Sequence, residues 1–217
     1  VLILHSEIDP CAAADEQDVL VQAEAVTRAL RSLGHDAQTL PFSLDLAGLA
    51  DRLKRSACDL VFNLVETAGG QGRLIHLAPS LLDFLGIPYT GAGAVASRLA
   101  MDKIATKRCL EAHGVPTAEY EVLAPDATTT HLPLPVVVKP PREGSSVGIS
   151  RVMQPAEWAP ALALARKCDP EVLVERFIAG REMTVGVVGD ETLPVVEIIP
   201  AGGWYGYEAK YLTGDTV

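Results

Sequence analysis

The sequence predicts an α/β protein whose first part is a parallel sheet with helices on both of its faces. Short apolar runs alternate with helical patterns in this part of the chain, as is typical of strands joined by crossover helices. From Met101 onward the pattern changes, and the hairpin predicted at GVVGDETLPVV favours antiparallel pairing of its two strands. We therefore expect two kinds of sheet within the 217 residues.

The first strand–helix alternation begins at the first residue. The run VLIL predicts a strand, and a long helix follows it after a loop of small residues. Asp15 can cap the start of this helix, and Gly34 stands where a helix end often takes a left-handed residue. One apolar face of the helix is marked by residues three or four apart, namely Val19, Ala23, Val26, Leu30 and Leu33.

Two further alternations complete the predicted parallel sheet. The segment LADRLKRSA predicts a helix, and DLVFNL from Asp59 predicts a buried strand. A third helical segment, LIHLAPSLLDFLG, is followed by the short strand-like run IPYTG. We therefore expect an N-terminal parallel α/β domain over residues 1–97.

The second part of the chain predicts shorter elements. The segment MDKIATKRCLEAHG predicts a helix that ends at Gly114, and a further helix is expected over residues 158–167. Strands are predicted at PVVVK, ISRV and EVLVERFI, and GVVGDETLPVV predicts a hairpin that turns at Gly189. We expect a central domain over residues 98–188 and the start of a last domain over residues 189–217.

The overall composition is that of a globular protein, with 48% hydrophobic and 21% charged residues. A net charge of −10 argues against nucleic-acid and acidic-membrane partners, although it permits a local basic pocket. No apolar run of about 18 residues or signal peptide is evident. We expect a cytoplasmic protein with four reduced and widely spaced thiols, those of Cys11, Cys58, Cys109 and Cys168.

A lysine ends the apolar run PVVVK, and a loop of small residues follows it. Lys139 can aim its ammonium group at one spot, and the loop from Gly144 to Gly148 can bring backbone N–H groups and two hydroxyls close to an anion. In the P-loop the lysine follows the glycines instead, and no G-x-G-x-x-G opens a helix here. A phosphate site is one interpretation, and a plain hairpin loop with a solvated lysine is the other.

Two glutamates flank a short apolar connector in VLVERFIAGREMTV. Glu175 ends one predicted strand and Glu182 begins the next, so their carboxylates can bind an amino group and ribose hydroxyls beside a flat ring. Surface glutamates at strand ends are the alternative interpretation. Further along, WYGYEAKYLTGD groups three tyrosines, a tryptophan and Lys210. Its glycines and charges favour a loop that carries a cation over phosphate, with an aromatic core cluster as the alternative.

These three stretches occur in one order, together with MDK at residues 101–103 and LGIPYTG at residues 85–91. In this combination the chain resembles the D-alanine–D-alanine ligase branch of the ATP-grasp enzymes, most closely in KPPREGSSVG and YGYEAKY. The resemblance covers nearly the whole chain. It implies an ATP-grasp fold with α+β nucleotide-clamping domains, and a place in the synthesis of cell-wall peptidoglycan.

The resemblance also implies roles for individual residues. Lys103 and Lys139 match phosphate-contacting lysines, and Ser145 and Ser146 belong to the phosphate loop. Glu175 matches the acceptor of the adenine amino group, Ile178 the backbone connector and Glu182 the ribose ligand. The segment WYGYEAKYLTGD matches a lid over the nucleotide, and Lys210 matches the lid lysine that contacts the γ-phosphate. A hydrogen-bonded trio that ties the lid to the amino-acid site is matched by Glu16, Ser145 and Tyr211.

The implied chemistry has two steps. ATP phosphorylates a carboxylate, and an amino group then displaces phosphate from the acyl phosphate. Because every species is anionic, fixed cations and backbone N–H groups are suited to catalyse both steps. Magnesium is implied as well, and we expect its ligands beyond Val217, in a C-terminal segment that the sequence lacks. The expected partners are small amino-acid or peptide substrates and a second copy in a homodimer.

Two departures from the family pattern concern the amino-acid substrate. Leu20 stands where the family has a serine, and Glu66 stands in FNLVETAGG where the family has a histidine that helps to read the first amino acid. An anionic side chain there disfavours a nearby free carboxylate. The leading prediction from the resemblance is still a D-alanine–D-alanine type ligase. The alternatives are a ligase for other amino acids or peptides, and a nucleotide-binding fragment without turnover.

Overall fold

The computed structural model describes residues 1–9, 12, 14–200, 202–212 and 216, with the backbone alone at residues 14 and 15. The Asp15 side chain, which was predicted to cap the helix, lies outside this description. So do Cys11 and Gly214, the last glycine of WYGYEAKYLTGD. Two compact units make up the chain, Val1–Gly114 and Val115–Val217. The predicted division into three domains stays a prediction.

The first unit is built on a three-stranded parallel sheet, as the sequence predicted. Strand β1 (Leu2–Ser6) lies between β2 (Gln38–Phe42) and β3 (Val61–Leu64), and both pairings are parallel. Helix α1 (Ala14–Ser32) follows β1, and helix α2 (Leu46–Ser56) follows β2. Each crossover helix returns the chain to the sheet, as parallel strands require.

The alternating side chains of β1 divide between two hydrophobic clusters. Ile3 packs with residues of α1 such as Ala23 and Val26 on one face. Leu2 and Leu4 pack on the other face, with residues of α2 and of the helix that follows β3. Because successive strand residues point to opposite faces, helices cover both sides of this sheet. The predicted two-sided covering is confirmed.

The rest of the first unit is helical. A 3₁₀ turn at Gly72–Leu74 leads to α3 (Leu77–Leu85), which ends at Gly86 in a left-handed conformation. The run IPYTG was predicted to be strand-like, but it forms only a single parallel bridge, between Tyr89 and Val61. Then come α4 (Ala94–Met101), which the sequence analysis did not predict, and α5 (Lys103–Ala112), which it did.

The second unit contains a four-stranded antiparallel sheet in the order β4-β7-β5-β6. Its strands are β4 (Tyr120–Leu123), β5 (Val136–Lys139), β6 (Ser150–Val152) and β7 (Val172–Arg176). Helix α6 (Trp158–Arg166) covers one face, where its buried residues pack on alternate strand valines. The strands predicted at PVVVK, ISRV and EVLVERFI and the predicted helix are confirmed, and every pairing in this sheet is antiparallel.

Short elements complete the second unit. Strand β8 (Glu182–Thr184) pairs antiparallel with β11 (Val196–Ile198), and β9 (Val187–Val188) pairs with β10 (Glu191–Thr192). The second pair is the predicted hairpin that turns at Gly189. A short helix, α7 (Tyr207–Tyr211), follows in the segment that was predicted as a loop. Across the described part of the chain, no helix is long and apolar enough to span a membrane.

Candidate functional site

One face of the antiparallel sheet carries charged side chains. The strand register places Val137 opposite both Glu175 and Arg151. Since opposite residues point to the same side and alternate residues of a strand share a face, Lys139, Glu175 and Arg151 lie on one face. Val136 and its neighbours on the other face pack against α6. The sheet therefore separates a dry core from a charged surface.

Lys139 and Glu175 form an ion pair on this charged face. The ammonium group of Lys139 donates to Oε2 of Glu175, across neighbouring strands and 36 positions of sequence. Only 18% and 16% of the two side chains are exposed, so the pair is largely shielded from water and its loss is costly. A lysine has three donors and a carboxylate several acceptor positions, so both groups keep capacity for a ligand.

The loop from Gly144 to Gly148 connects β5 and β6 and is locally strained. Ser145 and Ser146 have φ angles of 51° and 61°, and left-handed residues other than glycine each cost about 1–2 kcal/mol. Strain of this kind is common where a backbone is held for a ligand. The loop is thus a hairpin connection, as the alternative interpretation had it, but one whose backbone is held in an unusual shape.

Gly148 fixes the far end of this loop. Its φ is 70°, and a Cβ atom at this position would lie 3.0 Å from Cγ of Pro140 and 3.1 Å from Sγ of Cys168. Gly144, at the near end, has open space around it. Therefore only Gly148 of these two glycines is required by both its backbone angle and its close packing.

The connector after β7 carries the predicted adenine-side residues. Glu175 lies near the end of β7, Ile178 is 66% exposed in the connector without regular structure, and Glu182 begins β8. An exposed connector leaves its backbone groups available to a ligand beside it. The residues thus occupy the local structures that the sequence predicted for them, although their binding roles stay predictions.

The predicted lid lysine lies in an aromatic environment. Nζ of Lys210 is 5.0 Å from the centre of the Tyr205 ring, a cation–π distance. Burial lowers the pKa of Lys210, and the charge of Glu182 partly opposes this shift. On the same helix the rings of Tyr207 and Tyr211 are 5.2 Å apart. The segment therefore contains a tyrosine pair and a lysine beside a third tyrosine ring. None of the residues of its helix is buried, so it is not the core cluster of the alternative interpretation.

Arg151 is a residue of the charged face that the sequence analysis missed. Its guanidinium carbon lies 5.8 Å from the ring centre of Phe177 and 5.4 Å from that of Trp204. It thereby links the sheet to the connector after β7 and to the aromatic segment. Only the strand register, which places it opposite Val137, reveals its position on this face.

The remaining predicted site residues belong to the first unit. Lys103 is the first residue of α5, whose start is capped by Asp102 through bonds of 3.0 Å to the N–H groups of Ile104 and Ala105. Oε1 of Glu16, on α1, lies 3.9 Å from where a Cβ of Gly70 would be. Glu16 is therefore close to the loop that follows β3.

Glu66 stands in that same loop and is oriented by two neighbours. Its backbone N–H donates to Oγ of the buried Ser6 at 3.0 Å, and its Oε1 accepts from Nε2 of Gln22 at 3.2 Å. Ser6 ends β1, so Glu66 lies at the carboxyl ends of the parallel strands. Ligands of open α/β sheets bind at this edge, which supports its predicted place near a substrate.

The described residues do not supply a magnesium site. No group of three or more His, Cys, Asp or Glu side chains among them has a geometry suited to a metal ion. Magnesium prefers carboxylate oxygens together with phosphate oxygens and water.

Comparison with protein families gives one match that covers half of the chain. Residues 109–217 match the family model described as "D-ala D-ala ligase C-terminus". This range contains the charged sheet face, the strained loop and the aromatic segment.

Comparison with curated proteins extends the similarity to both units. The D-alanine–D-alanine ligase of Actinobacillus succinogenes is 40% identical over 213 residues, which are 94% of this chain and 67% of that protein. The enzyme of the same name from Bordetella pertussis is 42% identical over 212 residues, with 94% and 65% coverage. The chain thus spans about two thirds of the length of these relatives.

Solved structures show the same fold. A D-alanine–D-alanine ligase from Bacillus anthracis, complexed with ATP, superposes with a TM-score of 0.72 over the whole of this chain and 69% of its own, at 23% identity. A second structure of the Bacillus anthracis ligase gives a TM-score of 0.70 at 24% identity. The predicted ATP-grasp fold is confirmed.

Proposed function

This chain belongs to the D-alanine–D-alanine ligase family of ATP-dependent carboxylate–amine ligases, and on that premise we propose that it joins two amino acids through an acyl phosphate, with D-alanine as the leading substrate. The observation that carries the proposal is the charged sheet face, where the Lys139–Glu175 pair lies beside the strained loop at residues 144–148. Fixed cations and a turned backbone are what a nucleotide phosphate requires.

The nucleotide is proposed to lie along this face with its base at the connector. Glu175 would accept a hydrogen bond from the adenine amino group. Lys139 would keep one N–H on Glu175 and direct its other N–H groups toward phosphate. Ile178 would offer backbone groups to the ring edge, and Glu182 would accept from the ribose. The loop with Ser145 and Ser146 would then meet the phosphates. Lys103 stays predicted as a phosphate-contacting lysine.

The reaction itself requires charge stabilisation more than covalent catalysis. Lys210 would neutralise charge that develops on the γ-phosphate during transfer, where a preorganised cation is most effective. Glu16, Ser145 and Tyr211 stay the predicted hydrogen-bonded trio, and a lid closed over the substrates would hold the reacting carboxylate and amine in line. In this family ATP is used together with Mg²⁺, whose role here stays an expectation.

The compartment and the partners of the protein are proposed on the same basis. A consumer of ATP that makes a peptide precursor of peptidoglycan would work in the cytoplasm, where ATP is available. The thiols of Cys58, Cys109 and Cys168 are free, as such a compartment permits. Small amino acids are the proposed partners, and the homodimer stays a prediction.

A second candidate is a ligase for amino acids other than D-alanine. It is favoured by Glu66, at the edge where the first amino acid is proposed to bind. Its carboxylate accepts from Gln22, and its backbone N–H donates to the Ser6 hydroxyl. A fixed anion there repels a second carboxylate and attracts an amine or hydroxyl. The first substrate would then carry a further polar donor on its side chain.

The test is ATP-dependent phosphate release by the full-length protein with a panel of amino acids. Release with D-alanine as the best substrate supports the leading proposal, and release with a different amino acid supports the second candidate. If ATP binds but no amino acid in the panel stimulates release, the chain is a nucleotide-binding protein without this turnover. Both ligase proposals are then wrong.

A further inference from the structure

Arg142 makes a forked contact directly before the strained loop. Its Nη1 donates to both carboxylate oxygens of Asp169, at 3.0 and 3.1 Å, and its Nη2 donates to Oε2 of Glu171 at 2.5 Å. Asp169 is buried, with only 5% of its surface exposed. A guanidinium with two carboxylates in fixed geometry restrains both sides of the contact.

The partners of Arg142 are themselves held by the backbone. The N–H of Asp169 donates to the carbonyl of Ala165 near the end of α6, at 3.2 Å. One carboxylate oxygen of Asp169 also accepts from the N–H of Glu171, at 3.1 Å. The turn at residues 167–171 is therefore rigidly connected to α6 and leads directly into β7, the strand that carries Glu175.

The same turn also contacts the other end of the loop. Cys168 lies so close to Gly148 that a Cβ on the glycine would be 3.1 Å from its sulfur. Arg142 holds the loop where it begins, and Cys168 packs against it where it ends. Both ends of the loop are thus fixed to one turn, which immediately precedes the adenine-side strand.

We propose that Arg142 is a positioning residue, which holds the loop at residues 144–148 in its phosphate-binding shape by bridging it to Asp169 and Glu171. This inference rests on the proposed function, since it supposes that the loop meets nucleotide phosphates. Arg142 would act through the loop without contacting the reacting atoms. Its removal should therefore weaken the binding of phosphates and spare the binding of the base.

The chain offers a matched control for loss of structure. Arg166 also lies in the second unit and also donates to its surroundings, through Nη2 to the carbonyls of Ala124 and Ala127. Those carbonyls belong to the segment after β4 and not to the strained loop. Arg166→Gln should therefore destabilise the unit without a specific effect on the loop.

The experiment uses the full-length protein and two measurements. Hydrogen exchange reports the opening of the amides at residues 145–149 without any ligand, and calorimetry reports the affinities for ATP and for adenosine. In Arg142→Gln we expect faster exchange in the loop and about tenfold or more weaker ATP binding, with adenosine affinity within about twofold. Arg142→Lys keeps the charge but not the fork, so it should recover part of the ATP affinity.

Each outcome decides the proposal. Loop exchange and an ATP-to-adenosine affinity ratio equal to those of the wild type in Arg142→Gln would overturn it. So would the same losses in Arg166→Gln, because the effect would then be general destabilisation. If the wild-type protein binds no ATP, the proposed function fails, while the loop exchange in Arg142→Gln against Arg166→Gln still decides whether Arg142 anchors the loop.

Discussion

Replacing Lys139 by methionine removes a charge that the structure pairs with Glu175. Methionine keeps most of the apolar stem, so packing is largely preserved and the charge is the main loss. Removal of one partner of a buried ion pair costs about 3–5 kcal/mol. Since the two side chains retain 18% and 16% exposure and Glu175 makes further contacts, only part of this cost applies. We expect Lys139→Met to lower the free energy of unfolding by about 2–3 kcal/mol.

Two further variants separate the pair from other effects. In the double variant Lys139→Met with Glu175→Gln no unpaired charge remains, so it should be more stable than Lys139→Met alone. Arg28→Gln breaks the pair with Glu24, whose side chains are 71% and 70% exposed, and should cost less than about 0.5 kcal/mol. Urea unfolding followed by circular dichroism measures all of these, provided that the slope with denaturant is unchanged.

The same variant tests the nucleotide site. Loss of a charge-assisted hydrogen bond to phosphate should weaken ATP binding in Lys139→Met by about 1.5–3 kcal/mol, or roughly 10–150-fold. Calorimetry with ATP below the unfolding transition measures this. An unchanged midpoint of unfolding would refute the buried pairing, and unchanged ATP affinity would refute the placement of the nucleotide on this face.

Three further predictions concern the lid, the loop and the substrate. Lys210→Ala should lower turnover about 100-fold or more with little change in ATP affinity, because its charge acts in the transition state. Since burial lowers the pKa of Lys210, wild-type turnover should fall with rising pH before ordinary lysines lose their protons. Gly148→Ala should cost about 1–3 kcal/mol of stability and weaken ATP binding, whereas Gly144→Ala should be tolerated. Glu66→Gln should raise activity with D-alanine relative to amino acids with a second amine, measured as the ratio of kcat/KM values.

Each of these has an outcome that contradicts it. Normal turnover in Lys210→Ala, or an alkaline limb that is the same in that variant, removes the lid lysine from the mechanism. Equal effects of the two glycine substitutions would mean that the crowding at Gly148 does not matter. An unchanged substrate ratio in Glu66→Gln would place that carboxylate away from the first amino acid.

The alternation of strand-like and helical segments was sufficient to predict the parallel sheet. The apolar run VLIL can be buried on both faces, and in the structure Leu2 and Leu4 pack on one side and Ile3 on the other. The run IPYTG was predicted as a strand on the same grounds but makes one bridge only, at Tyr89. A short apolar run can pack against the core without forming the repeated hydrogen bonds of a sheet strand.

The candidate site was predictable as a set of residues but not as a set of contacts. The motif predicted Lys139 and Glu175 separately, yet their ion pair depends on a strand register that joins positions 36 apart. Arg151 was missed because a lone arginine in a short strand has no local signal. Asp169 was missed for the same reason, since its importance comes from burial against Arg142.

Trapping of the acyl phosphate with hydroxylamine tests the central claim most directly. If the full-length protein activates an amino-acid carboxylate with ATP, hydroxylamine should compete with the second amine and give an amino-acid hydroxamate. We predict that D-alanine hydroxamate forms in the presence of ATP, does not form without ATP, and is greatly reduced in Lys210→Ala. Release of phosphate from ATP with no hydroxamate from any amino acid in the panel would contradict the account.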